Sequence, residues 1–197
     1  MNPDELPIEL LQLDPVRRRA LLALSAAVTT GYRIVRRDRV RFGRHVIANH
    51  RLSIRGPGRV IVGDGANLYA FAGRTYLTTR TPGAEIRIGA NTRVNETHIQ
   101  ADLCVDIGPD CILGRAHVLD TDMHSLALDR RSNPHAPVRR APVIIERNVW
   151  VARGAAILPG VRIGAGSVIG YGAVVTGDIP PGVLAAGNPA QVVRSLD

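Results

Sequence analysis

From Ile145 onward an aliphatic residue returns every six positions: Ile145, Val151, Ile157, Ile163, Ile169 and Val175. Four residues after each stands a second, mostly small one: Val149, Ala155, Val161, Ser167, Ala173 and Ile179. An α-helix with 3.6 residues per turn carries every sixth residue off one face, so this spacing excludes an amphipathic helix. Short strands separated by bends satisfy it. A six-residue unit supplies a strand with inward side chains plus a turn, and three units close one triangular coil of a parallel β-helix. The period predicts a stack of such coils and leaves their handedness open.

The same phase recurs upstream in Val62-Gly63, Leu68, Ile88-Gly89, Val94, Ile107-Gly108, Leu113-Gly114 and Leu119. It slips twice. Ile88 to Ile107 is 19 residues where three repeats would take 18, and Leu119 to Ile145 is 26, which is no multiple of six. The second gap must hold a loop that leaves the array. Ahead of the coil, Asp14 as N-cap and Pro15 at the first helical position open a helix that Gly31 is expected to stop. In the following YRIVRRDRVRFGRHV, Ile34, Val40 and Phe42 alternate loosely with Arg, which predicts a strand or irregular coil. The expected organisation is a helical and Arg-rich segment at 1–53, a β-helix at 54–182 with a loop extruded at about 121–142, and a tail at 183–197.

Composition sharpens this picture. Hydrophobic residues make up 45% of the 197 but aromatic ones only 4%, which suits coils stacked on aliphatic columns. All 25 basic residues are Arg, and the net charge of +8 is unevenly placed. Residues 1–16 carry −4, residues 17–59 carry +11 and residues 60–197 carry only +1. The coil is therefore nearly neutral, and no nucleic-acid partner is expected. The basic segment, beside the apolar run at 20–28, fits an anionic membrane or a lipid-linked glycan as a peripheral contact. An acidic start lacks the basic n-region of a signal peptide, and no apolar run approaches the ~20 residues that span a bilayer. A cytoplasmic protein, with at most contact at the inner membrane surface and with Cys104 and Cys111 as free thiols, is expected.

Chemistry-bearing residues cluster in the extruded stretch, which contains Asp120, Asp122, His124, Asp129, His135 and four Arg. A loop this long in a compact domain is usually functional. His98 and His117 follow Val94 and Leu113 by four residues and are expected to point into the coil, as is Cys111 after Ile107. A metal site is not expected from any of these spacings.

Three strings, DTDMHSL at 120–126, RNVWVARGAAILPGVRIGAGSVIGYGAVVTGDIPPG at 147–182 and AAGNPAQVVR at 185–194, resemble the hexapeptide-repeat acyltransferases, in the maltose, galactoside and nodulation-factor O-acetyltransferase branch. The resemblance implies an all-β, left-handed parallel β-helix and a homotrimer with active sites between neighbouring subunits. It implies acetyl-CoA as donor and a hydroxyl as acceptor, here of a sugar or polysaccharide. His124 occupies the place of the catalytic His. A hydroxyl needs a base to attack a thioester, and His titrates close to working pH. Asp122 or Asp120 could orient its ring, as could a backbone carbonyl. Trp150 matches a site wall and Asn95 a polar contact to the acceptor or acetyl group, while His135 could approach the acceptor from the loop.

For CoA, the resemblance implies a groove along Arg153, Tyr171, Thr176, Gly177, Gln191 and Arg194. Tyr171 stands where a small residue is common, and Gly177 and Gln191 where basic ones are, so Arg194 becomes the main phosphate contact. Rival readings are acetyl transfer to another small acceptor (serine, an amino sugar, an antibiotic), a γ-class carbonic-anhydrase-like zinc protein, and a nonenzymatic scaffold.

Overall fold

The structure, a computed structural model, describes residues 12–196. Most of the acidic start and Asp197 lie outside the described residues. Three six-stranded sheets form the sides of a triangular prism, and from β5 to β16 the chain visits them in rotation. Sheet I holds β1 (Val40–Phe42), β3 (Arg59–Val62), β5 (Glu85–Ile88), β8 (Cys104–Ile107), β11 (Val143–Ile145) and β14 (Arg162–Ile163). Sheet II holds β6 (Arg93–Asn95), β9 (Ile112–Gly114), β12 (Trp150–Val151), β15 (Val168–Ile169), β17 (Val183–Gly187) and β18 (Ala190–Ser195). Sheet III holds β2 (Leu52–Arg55), β4 (Thr75–Thr79), β7 (His98–Ala101), β10 (His117–Leu119), β13 (Ala156–Ile157) and β16 (Val174–Val175). All neighbours pair in parallel except β17 and β18, which form an antiparallel hairpin at the C-terminal end. This is the expected β-helix of hexapeptide repeats. The stack starts at β1, ahead of the readable repeats.

All twelve inward positions named from Ile145 to Ile179 are buried, as are Val62, Leu68, Ile88, Val94, Ile107 and Leu113. Cys111 is inside as expected, its thiol against the Glu146 carbonyl at 3.0 Å, and both cysteines are free. His98 and His117, by contrast, point outward. Between sheets II and III these two coils take five residues, Val94 to Ile99 and Leu113 to Val118, instead of the six from Val151 to Ile157. Thr97 and Ala116 fill the inward slots, and Val118 rather than Leu119 is the core residue. The two imidazoles stack outside the prism with centroids 5.0 Å apart, below Tyr76.

The glycines that follow Ile or Val have a steric cause at the corner from sheet I to sheet II. A Cβ at Gly89 would lie 2.4 Å from the carbonyl carbon of Gly108, and one at Gly108 would lie 2.8 Å from the nitrogen of Arg147. Successive coils approach too closely there for any side chain.

Helix α1 (Pro15–Arg36) starts as the sequence predicts, with the Asp14 carboxylate accepting from the N–H groups of Val16 and Arg17. It does not stop at Gly31, and residues 32–36 are helical rather than extended. Tertiary contacts override the glycine. The Tyr32 hydroxyl donates to the Leu52 carbonyl at 2.9 Å, Arg33 donates to Phe42, and Arg36 donates to Ile54 and Gly56. With Ser25 donating to Ala48 at 3.1 Å, these bonds lay α1 across the open N-terminal end of the prism.

Candidate active site

The extruded loop leaves the corner between sheets III and I through a narrow neck. Thr121 bridges Arg140, Ala141 N–H donates to Asp120 and Asp122 N–H donates to Arg139. Asp120 is the anchor of this neck rather than a partner of His124. Its carboxylate is fully buried and accepts from the N–H groups of Asp102, Leu103 and Cys104 at 2.7, 2.7 and 2.8 Å. Burial pushes the Asp120 carboxyl up, and those three N–H groups oppose the shift.

His124 stands exposed just beyond, after Met123 at φ 64°, with its own N–H bonded to the Asp122 carbonyl at 2.7 Å. Among the described residues no hydrogen bond reaches its ring, and the Asp122 carboxylate makes none. His135 is exposed further out on the same loop.

A second group forms on sheet II. Asn95, Trp150 and Arg153 line a cavity of about 350 Å³ together with Phe71, Glu96 and Arg115. Asn95 donates through Nδ2 to the Tyr69 carbonyl at 2.5 Å, and Trp150 is half exposed. Glu96 is buried; one oxygen accepts from the N–H groups of Phe71, Ala72 and Gly73, and the other pairs with Arg115 Nε. Burial pushes its carboxyl up, but Ala72, Gly73 and Arg115 outweigh that and hold it at about 2. This clamp fixes the loop that presents Phe71, whose exposed ring stands edge-on to Tyr69. Glu96, Arg115 and Phe71 carry no local sequence signal, because their partners lie 19 to 25 residues away on another coil.

The six residues implied for CoA divide between two corners. Arg153 and Tyr171 occupy successive turns after β12 and β15, joined by a bond from Gly172 N–H to the Arg153 carbonyl at 3.0 Å. Gln191 and Arg194 lie on β18, opposite Ala186 and Leu184 at the edge of the same sheet. Thr176 and Gly177 follow β16, at the corner of the extruded loop. All six are exposed. One chain therefore brings Asn95, Trp150, Arg153, Tyr171, Gln191 and Arg194 to one side, and leaves Asp122, His124, Thr176 and Gly177 at another corner. Among the described residues no three His, Cys, Asp or Glu are grouped to hold a metal ion.

The architecture defines the class: a parallel β-helix built from hexapeptide repeats, with a loop and a basic helical cap added. The family described as bacterial transferase hexapeptide (six repeats) matches residues 142–177 of the chain. It is 38% identical over 116 residues to the galactoside O-acetyltransferase of Escherichia coli, covering 58% of this chain and 56% of that protein. A protein of Schizosaccharomyces pombe named as an acetyltransferase is 44% identical over 93 residues, covering 47% of this chain and 44% of that one. The chain thus spans about half the length of these curated relatives.

Among solved structures, the polySia-specific acetyltransferase NeuO matches with a TM-score of 0.58 and 26% identity, covering 80% of this chain and 82% of that one. A galactoside acetyltransferase in complex with coenzyme A matches at TM-score 0.53 and 26% identity, covering 96% of this chain and 76% of that one.

Proposed function

We infer that this protein transfers an acetyl group from acetyl-CoA to a sugar hydroxyl. The observation that carries this reading is the exposed His124, held out by a neck that Asp120 anchors, in a chain similar to a galactoside O-acetyltransferase. His124 takes the proton of the acceptor hydroxyl as its oxygen attacks the thioester carbonyl. Backbone N–H groups stabilise the oxyanion, and the collapsing adduct expels the CoA thiolate, which takes the proton back from the imidazolium. Trp150 and Phe71 offer flat apolar walls to a sugar ring, and Asn95 offers an amide between them.

The separation of His124 from the Asn95–Trp150 cavity supports a homotrimer in which neighbouring copies supply the two halves of each site. Arg153, Tyr171, Gln191 and Arg194 lie along one side as a surface for the CoA, with Thr176 and Gly177 coming from the neighbour. Asp122 stays the carboxylate nearest in sequence to orient the His124 ring.

The test is thiol release in a screen of sugar acceptors. His124→Ala should lower turnover by about 10² to 10⁴, with acetyl-CoA binding by calorimetry retained. Near wild-type turnover in that variant would end the assignment.

A further inference from the structure

The N-terminal cap carries apolar residues on both of its sides. Helix α1 packs Leu21, Leu22, Val28 and Tyr32 on the protein, with Ser25 and Thr29 buried among them, while Val16, Leu24, Ile34 and Val35 stand 76%, 64%, 70% and 77% exposed. At 3.6 residues per turn Val16 and Ile34 fall on one line, and Leu24 and Val35 lie within about 100° of it. Exposed Ala20, Ala23 and Ala27 fill the space between. The result is a continuous apolar face along the 22 residues of the helix, turned away from the coil.

Arg19, Arg37 and Arg39 are exposed, and their side chains make no hydrogen bond or ion pair with any described residue; Arg37 and Arg39 line a surface hollow with Val35 and Asp38. Arg19 borders the apolar face on one flank and Arg17, shared with Asp14, on the other, while Arg37 follows the last turn of the helix. No described helix is long and apolar enough to cross a membrane, so the arrangement is that of a helix lying in an interface. The helix seals the end of the prism with its inner side, whereas both halves of the candidate site lie along the sides and corners. A copy docked along the sides would leave the outer face uncovered.

We propose that the outer face of α1 docks the protein on an anionic lipid bilayer, with Val16, Leu24, Ile34 and Val35 in the acyl boundary and Arg19, Arg37 and Arg39 among the headgroups. The charge complements such a surface, and the apolar face gains only where acyl chains are present. The proposal does not rest on the acetyl-transfer reading. Deleting residues 1–30 would be a poor test, because it also removes the Ser25 bonds to the first coil. Point substitutions avoid this.

The experiment is flotation of the full chain with phosphatidylcholine vesicles, with and without phosphatidylglycerol at about a third of the lipid. Binding is expected only with the anionic lipid, weakened roughly fivefold for each arginine replaced among Arg19→Gln, Arg37→Gln and Arg39→Gln. Leu24→Ser with Val35→Ser should weaken it independently, with an unchanged circular dichroism spectrum and thermal midpoint as the check of folding. Three results would overturn the proposal: no flotation with anionic vesicles, binding that falls with the Arg variants but not the apolar ones, or apolar variants that change the oligomeric state instead. The second would mark a site for a soluble polyanion, and the third an interface between copies.

Discussion

Asp120 and His124 stand four residues apart in one string, yet they meet opposite environments. The first is wholly buried with three N–H groups on its carboxylate, and the second is exposed with a free ring. Asp120→Ala should therefore act on folding: three N–H groups lose their acceptor, and the buried one of Asp102 alone costs about 1–3 kcal/mol before relaxation. A drop in thermal midpoint far larger than that of His124→Ala, measured by calorimetry, is the expected contrast. Glu96 belongs to the same scale. Its carboxyl is depressed to about 2 in the folded chain, so the stability it contributes is complete above the ordinary value near 4.5 and is lost as pH falls through about 2. Denaturant unfolding across that range should be flatter for Glu96→Gln. His124 is legible in the sequence because the whole string around it carries a resemblance. The roles of Asp120 and Glu96 are not, since the atoms they bind lie on neighbouring coils at positions no local pattern marks.

At the scale of elements, the six-residue period is legible wherever strand and bend keep the same length, and all twelve inward positions from Ile145 onward follow it. It misleads at His98 and His117, where the passage from sheet II to sheet III is one residue shorter and a count of four lands outside the prism. Gly31 misleads in the other direction. Helix propensity costs it only about 1 kcal/mol, and the bonds made by Tyr32, Arg33 and Arg36 to the first coil offset this. The glycine corner gives a sharper test. Gly89→Ala should cost about 2 kcal/mol in chemical denaturation, because its methyl would press on the Gly108–Pro109 backbone. Gly83→Ala, with no atom within 4 Å of the added carbon, should cost almost nothing.

At the scale of the molecule, the division of the candidate site between two corners makes a prediction about assembly. Chains carrying His124→Ala and chains carrying Asn95→Ala should each be inactive alone. Unfolded together in equal amounts and refolded, they should recover about a quarter of wild-type activity, since one site in four would draw both intact halves from neighbouring copies. No recovery would place the whole site within one chain. The overall charge is also reread at this scale: the +8 of the sequence resides in the cap and first coils, apart from the sides where the chemistry is proposed.

The cap has one further consequence. A stack of parallel coils ends in three open strand edges, each a row of unpaired carbonyl and amide groups that another chain could extend. At the N-terminal end Ser25, Tyr32, Arg33 and Arg36 occupy carbonyls of Ala48, Leu52, Phe42 and Ile54. At the other end β18 turns back antiparallel on β17. A repeat that carries no instruction to stop is thereby given a fixed length, and the same helix that offers an outward face denies the molecule a route to growing into a filament.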